Sequence, residues 1–396
     1  MRPSSYPSQP EFIALATLLM ATVALSIDVM LPALGVMADE FGVTEGNQRQ
    51  WVIVAVFVGL GVGQLGFGPL SDATGRRPAI VLGAVLFAAG AVICATAPSF
   101  ELLIAGRVLQ GFGAAGPRIV TVALIRDRFQ GVAMARVMSI IMGVFISVPV
   151  FAPSVGQGLL LVMPWRGLFG ILAALCVSGA VWLLVRHPET LAEKRSLNVK
   201  RITSAAGEVL ADRRAMGFTG AAGLCYGALM GFIISSQQLF QEAYNVGAQY
   251  AVWFGVSAAF VGVATVTNAK LVNRFALDRI CIVAVALLCL WSLVFVGIMR
   301  MVGDLPAIEL FMLFNCPALF LLGLTFGNFN AIALERLGHI AGIAAAITAS
   351  IQTLVSMVAA SIVGLNFDMT PYPMFLGYVG FGVASLLLMA LSSRHR

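Results

Sequence analysis

The sequence predicts an all-α membrane protein with twelve transmembrane helices in two six-helix halves. Of its 396 residues, 60% are hydrophobic and only 11% are charged, whereas a water-soluble protein carries about 25% charged residues. Apolar runs of about 20 residues, long enough to cross a bilayer as a helix, occur twelve times. A polar stretch near the middle of the chain separates the first six runs from the last six.

The twelve runs define the predicted spans. In order, they are 12–38, 49–71, 78–97, 101–124, 133–161, 167–186, 215–241, 246–272, 279–300, 306–333, 340–366 and 373–391. The first run is too long for the core of a signal peptide and lacks a convincing cleavage site, so we expect it to remain as a span. The polar stretch 188–214 is the predicted linker between an N-terminal half, 1–187, and a C-terminal half, 215–396.

Lysines and arginines predict the orientation, because they accumulate in the cytoplasmic loops of membrane proteins. Nineteen of the 24 lie on the side of the termini and the linker, and only Arg49, Arg166 and Arg300 lie on the other side. We therefore expect both termini and the linker in the cytoplasm. The same asymmetry explains the net charge of +6 without nucleic acid as a partner.

Cysteines and histidines give no sign of a cofactor. The six cysteines fall in apolar runs without the spacing of metal ligands or of a disulfide framework. His187, His339 and His395 lie at predicted cytoplasmic ends, which disfavours a subunit that holds a redox group at membrane depth. No Gly-x-x-x-x-Gly-Lys loop is present, so ATP is not expected to drive this chain. We expect neither an enzyme nor a cofactor, and the lack of a long soluble segment disfavours a membrane sensor.

Three charged side chains lie deep inside predicted spans, away from the span ends: Asp28, Arg107 and Arg118. Burying a carboxylate costs several kcal/mol unless it is paired or neutralised. The helical rise of about 1.5 Å per residue puts Asp28 and Arg107 at compatible depths in the outer half of the membrane. Arg118 falls within about 20° of the same helix face as Arg107. It either contacts an anionic group of a substrate or extends to the cytoplasmic interface.

Several amides also lie inside spans: Gln110 in span four, Gln237 and Gln238 in span seven, and Asn328 in span ten. Amides within lipid prefer protein or water partners, so these side chains are expected to face the protein interior. We count them as candidate cavity residues. Whether they contact a substrate or only each other is open at this stage.

The loop after span two carries a recognisable motif. Residues 68–78 read Gly-Pro-Leu-Ser-Asp-Ala-Thr-Gly-Arg-Arg-Pro. This resembles the signature loop of the major facilitator superfamily, with Gly68, Asp72, Gly75, Arg76 and Arg77 at its fixed positions. Gly75 permits a tight turn, and Asp72 can accept hydrogen bonds from a helix N-terminus.

Three further stretches resemble motifs of that superfamily or of its drug:proton antiporters. Residues 107–111 fit its Arg-x-x-Gln-Gly pattern, in which the arginine is implicated in proton transfer. Span five carries Pro149, Pro153 and Gly156, similar to the Pro/Gly-rich antiporter stretch. Residues 26–34, Ser-Ile-Asp-Val-Met-Leu-Pro-Ala-Leu, are close to the pattern of the bicyclomycin and chloramphenicol resistance exporters.

The resemblance implies the major facilitator fold and a function. It implies a proton-coupled efflux antiporter for drugs or small amphipathic molecules in a bacterial inner membrane, and we expect a monomer. The alternative is a transporter of a natural metabolite, such as a siderophore or an amino acid. The expected partners are the transported small molecule, protons and the lipid bilayer.

The resemblance also implies roles for single residues. Spans one and four line the central cavity of that fold, so we expect Asp28 to bind a proton and the substrate alternately, with Arg107 modulating its affinity. The alternative is a static ion pair between them. Asp72 is expected to bond the amides near 338–341 at the start of span eleven, with Arg126 completing the network.

The equivalent loop of the C-terminal half, residues 269–276, departs from the motif. It reads Ala-Lys-Leu-Val-Asn-Arg-Phe-Ala, so that Asn273 stands 201 positions after Asp72 without its charge. This offset supports two related halves. Any lock based on charge is therefore expected in the N-terminal half, which also holds all three buried ionisable residues.

Overall fold

The computed structural model describes residues 7–43, 47–191 and 199–393. These residues form α1 Gln9–Asp28, α2 Leu34–Glu40, α3 Trp51–Thr74, α4 Arg76–Thr96, α5 Phe100–Arg128, α6 Gly131–Leu160, α7 Trp165–Arg186, α8 Val199–Ala211, α9 Arg213–Gln237, α10 Tyr250–Leu271, α11 Leu277–Val302, α12 Ile308–Gly323, α13 Phe326–Leu334, α14 Ala341–Leu365 and α15 Tyr372–Ser393. Some residues used in the sequence predictions lie outside the described residues: Arg2, Lys194, Arg195, Arg394, His395 and Arg396.

The predicted all-α membrane fold is confirmed. Within the described ranges, eleven helical segments are long and apolar enough to cross a membrane. The other predicted span, the fifth, corresponds to the 30-residue helix α6, whose apolar stretch is Val148–Leu160. Each predicted span thus coincides with a helical segment.

Two predicted spans are interrupted. In span one, α1 ends at Asp28, and the short 3₁₀ turn Leu31–Ala33 precedes α2. Pro32 lies in this turn, and proline has no backbone N–H and a ring that clashes with the preceding helical turn. In span ten, Leu324 and Thr325 separate α12 from α13. Asp28 therefore lies at the end of a helix, not within a continuous one.

The stretch expected to be only a polar linker contains the helix α8. Its side chains Ala205 and Val209 are buried, and Val209 packs in an apolar cluster with Leu337 and Ala344. Asp212 then caps α9, because its carboxylate accepts two backbone N–H groups at the start of that helix at 2.8 and 2.9 Å. The end of the linker is thus folded onto the helices that follow it.

The chain forms two compact units. The N-terminal unit is Met1–Ala33 with Trp51–Thr203, and the C-terminal unit is Leu34–Gln50 with Ser204–Arg396. In the first unit, α5 contacts α3 so closely that a Cβ atom at Gly111 would lie 1.9 Å from the Val56 carbonyl oxygen. In the second unit, α9 packs against α14 and α15. Leu34–Gln50 belongs to the second unit, although it connects α1 to α3.

Candidate functional site

Arg107 on α5 is fully buried in the N-terminal unit, and three neutral acceptors hold its guanidinium. Nε donates to the Val52 carbonyl oxygen at 2.9 Å, one Nη donates to Oε1 of Gln110 at 2.7 Å, and the other donates to the Ser26 carbonyl oxygen at 3.0 Å. The Phe169 ring centre lies 5.6 Å from Cζ. Charged hydrogen bonds of this kind offset the cost of burial. They also tie α5 to α1 and α3.

Asp28 lies two residues after the carbonyl group that Arg107 binds. Its side chain is only 3% exposed. None of the side chains that the structure describes forms a salt bridge or hydrogen bond with this carboxyl group. The static ion pair between Asp28 and Arg107 is therefore not formed. The structure brings the two residues into one region but gives the acid no counter-ion among the residues that it describes.

The glycine of the antiporter-like stretch lies against the end of α1. A Cβ atom at Gly156 would lie 2.2 Å from the carbonyl oxygen of Val29, the residue after Asp28. Pro149 and Pro153 lie inside the same helix, α6, where each removes one backbone hydrogen bond. The stretch thus places α6 directly beside the residue that follows Asp28.

An apolar groove of about 480 Å³ lies between α1 and α6. Leu25, one helical turn before Asp28, lines it together with Phe151 and Val155 of α6. Arg118, farther along α5, is half-buried, and none of the described side chains binds it. The choice between a substrate contact and an interfacial position for Arg118 stays open.

The signature loop forms a charge cluster centred on Arg76, which is 7% exposed. Its guanidinium donates to Asp72 at 2.5 Å, to Asp127 at 2.8 Å and to the Ser71 hydroxyl at 2.8 Å. Arg126, expected in this network, forms no hydrogen bond or ion pair with a described residue, and its neighbour Asp127 bonds Arg76 in its place. Adjacent residues of a helix point about 100° apart, so only one of them can face the cluster.

Glu189, just after α7, caps the start of α4, a role that the sequence did not reveal. Its carboxylate accepts the backbone N–H groups of Arg76 at 2.9 Å and Arg77 at 3.0 Å. Gly75 has a φ of 115°, which favours glycine, and a Cβ atom there would lie 2.6 Å from the carboxylate. Burial raises the pKa of Glu189, but the surrounding backbone N–H donors outweigh it and lower the pKa overall.

The remaining loop residues have local partners. The Arg77 guanidinium donates to the Leu184 carbonyl oxygen at 2.5 Å, and the Gly68 carbonyl oxygen accepts the Ser71 hydroxyl at 2.8 Å. The bond from Asp72 to the start of span eleven stays a prediction.

The candidate amides of the C-terminal unit bond to nearby polar groups. Gln237 donates to Glu242 at 3.1 Å. Gln238 accepts from Gln50 at 2.7 Å. Asn328 and Asn268 exchange two hydrogen bonds of 2.8 and 3.0 Å. These partners satisfy amides that would otherwise be costly to bury.

An ion pair in the C-terminal unit was not predicted. Arg49 donates to both carboxylate oxygens of Glu242, at 2.5 and 2.6 Å. The arginine side chain is 11% exposed and the glutamate side chain 34%. Glu242 lies in a π-helical turn, Gln238–Ala243, and such turns often occur at functional sites. A cavity of about 580 Å³ lies beside the pair and is also lined by Asp39.

The comparison with protein families gives one clear match. The model of the Major Facilitator Superfamily matches residues 16–360. The chain is 28% identical over 384 residues to the uncharacterized MFS-type transporter YdgK of Bacillus subtilis, covering 93% of this chain and 92% of that protein. It is 25% identical over 379 residues to a bicyclomycin resistance protein homolog of Haemophilus influenzae, covering 91% and 90%.

Solved structures show the same architecture. The human organic anion transporter MFSD10 superposes with a TM-score of 0.70 at 16% identity, covering 98% of this chain and 100% of that chain. The xylose transporter XylE from E. coli superposes with a TM-score of 0.71 at 15% identity, covering 99% and 98%. At these identities the likeness concerns the fold alone.

Proposed function

Because this chain belongs to the Major Facilitator Superfamily, we propose that it is a proton-coupled secondary transporter that exports drugs or other small amphipathic molecules. A relative over nine-tenths of the chain is named a bicyclomycin resistance protein homolog. The multidrug resistance protein MdtL of Salmonella heidelberg is 28% identical over 233 residues, 59% of each chain. The observation that carries the proposal is Asp28, an acid buried in the N-terminal unit without a counter-ion in the described part of the chain.

In the proposed cycle, Asp28 binds a proton and the substrate alternately. Since no ion pair with a described residue has to break, a proton or a cationic group would compete with no described counter-ion for the carboxyl group. Arg107 modulates this binding through the Ser26 carbonyl group, which fixes the backbone two residues before Asp28. The apolar groove beside Leu25 supports an amphipathic cargo, whose hydrocarbon part it would cover.

Transport would follow from rocking of the two halves around a site near the middle of the membrane. The described part of the C-terminal unit buries no acidic side chain, which supports proton handling by the N-terminal unit. We further propose that the protein is a monomer in the bacterial inner membrane with both termini in the cytoplasm.

Transport into proteoliposomes with an imposed pH gradient tests this function. We expect Asp28→Asn to abolish proton-driven accumulation of a cationic drug, while exchange of that drug without a gradient persists. Asp304→Asn is the matched control, because Asp304 is an exposed acid in the connection between α11 and α12. Wild-type accumulation by the Asp28→Asn protein would remove this residue from the mechanism.

The alternative cargo is a natural metabolite with an acidic group. Arg118 favours it, since this side chain is half-buried and has no partner among the described residues. Arg118→Gln discriminates the two, since it should impair transport of an anionic substrate and leave a cationic drug unaffected. A protein that transports only siderophores or amino acids would overturn drug export but not proton coupling.

A further inference from the structure

The loop between α10 and α11 has the same place in the C-terminal unit as the signature loop in the N-terminal unit, but it lacks the acid of that loop. In the signature loop, Arg76 is neutralised by Asp72 and Asp127. In the second loop, Asn273 stands in place of the acid, and its side-chain amide donates to the Ala269 carbonyl oxygen at 3.0 Å. This loop therefore offers no carboxylate at the equivalent position.

Three cations lack a side-chain partner among the residues that the structure describes: one in this loop and one in each of the two helices that flank it. Lys270, Arg274 and Arg279 are exposed. Within the described chain, no hydrogen bond or ion pair engages their side chains. The acid beside them, Asp278, has its carboxylate directed to the backbone N–H of Arg279 at 2.9 Å. The loop thus presents an excess of positive charge.

One of these cations, Arg279, lines an apolar groove of about 340 Å³, and the groove is also lined by Leu271 and Phe275, the residues that follow Lys270 and Arg274. Nine of its ten lining residues are apolar, and the tenth is Arg279. The groove extends along α11 past Val283 and Leu287, both about half-exposed, and is closed by Phe320 of α12. An elongated hydrocarbon chain would fit here with its charged end at Arg279.

We propose that this groove binds an anionic phospholipid, with an acyl chain along α11 and the phosphate at Lys270, Arg274 and Arg279. The site lies at the end of membrane-spanning helices, on the side where the excess of basic residues predicts the cytoplasm. Basic pockets between transmembrane helices on that side bind lipid headgroups. A small free anion would explain the cations but not the apolar groove that they adjoin.

Native mass spectrometry of the purified full chain with phosphatidylglycerol or phosphatidylcholine tests the site. We expect the wild-type protein to retain phosphatidylglycerol preferentially. Replacing Lys270, Arg274 and Arg279 with glutamine should weaken its binding about fivefold per cation removed, the equivalent of about 1 kcal/mol each. Arg336→Gln is the matched control, because Arg336 is exposed and neither it nor its chain neighbours line the groove.

A second variant separates the lipid from a free anion. Val283→Trp fills the groove and leaves the cations in place, so it should weaken phosphatidylglycerol binding without changing competition by inorganic phosphate. Unfolding midpoints in lipid-free detergent check that each variant is folded. Equal retention of the two lipids, or wild-type retention by the triple variant, would overturn the proposal. Displacement of the lipid by phosphate at comparable concentration would also overturn it, leaving only an anion site.

Discussion

Arg49 and Glu242, which are 193 positions apart, form a two-pronged ion pair with nitrogen–oxygen distances of 2.5 and 2.6 Å. The same carboxylate also accepts a hydrogen bond from the side-chain amide of Gln237, which extends the contact. Arg49 comes from the connection between α1 and α3, whereas Glu242 follows α9. The pair therefore fixes the segment Leu34–Gln50 to the helices of the C-terminal unit.

Breaking this pair should lower stability in a way that a double-mutant cycle reveals. Arg49→Gln and Glu242→Gln should each lower the unfolding midpoint in detergent, and the double variant should be little worse than either. The expected coupling is about 1 kcal/mol or more, because the contact is bidentate and half-buried. Glu309→Gln, at an exposed position of α12, is the control. Strictly additive effects would show that the pair contributes nothing.

Arg107→Lys should impair both stability and transport. The planar guanidinium of Arg107 donates to the Val52 carbonyl, Gln110 and the Ser26 carbonyl at once. The compact ammonium group of a lysine cannot donate to all three. Leaving buried acceptors unsatisfied costs about 1–3 kcal/mol, which thermal unfolding and proteoliposome transport would measure. Arg118→Lys, where no described partner is lost, should change stability little. An Arg107→Lys protein with wild-type transport would contradict the positioning role.

Gly156→Ala should disturb the end of α1, since its Cβ atom would lie 2.2 Å from the Val29 carbonyl oxygen. Relieving that overlap requires a backbone shift, and overpacking of this kind costs about 1–3 kcal/mol. Gly158→Ala, two residues later in the same helix with no atom within 4 Å, is the matched control. It should be neutral or slightly stabilising. The difference between the two unfolding midpoints checks the contact, and equal midpoints would refute it.

Glu189→Gln should destabilise the protein in a pH-dependent way. The folded state lowers the pKa of Glu189 from its ordinary value of 4.5. The stabilisation is therefore complete above that value and is lost as the pH falls through the lower folded pKa. At pH 7 we expect a loss of about 1 kcal/mol for a charge at a helix N-terminus, shrinking in more acidic buffer. Glu335→Gln, at a glutamate whose side chain is 61% exposed, is the control for the substitution itself.

Thiol labelling can test the proposed orientation, because all six native cysteines are buried. A cysteine in place of Asp304, exposed between α11 and α12, should react with an impermeant maleimide added to intact cells. A cysteine in place of Arg336, exposed after α13, should react only after the membrane is permeabilised. The reverse pattern would invert the topology.

Local sequence information was sufficient for the helices but not for the contacts between them. Apolar runs located every span, because length and hydrophobicity are properties of contiguous residues. The interruption after Asp28 could have been suspected from Pro32, whereas α8 was hidden within a polar stretch. The capping of α4 by Glu189 joins residues 113 positions apart, and the Arg49–Glu242 pair joins residues still farther apart. Such pairings depend on which distant residues the folded chain brings together, and the charges of the loops alone do not identify the partners.

The assignment of Leu34–Gln50 to the C-terminal unit has a consequence for a severed chain. If a protease cut the polypeptide between Glu193 and Asn198, the upstream fragment would still donate α2 and Arg49 to the fold of the downstream one. Both fragments would therefore contribute to one folded unit and would copurify, although no peptide bond joined them.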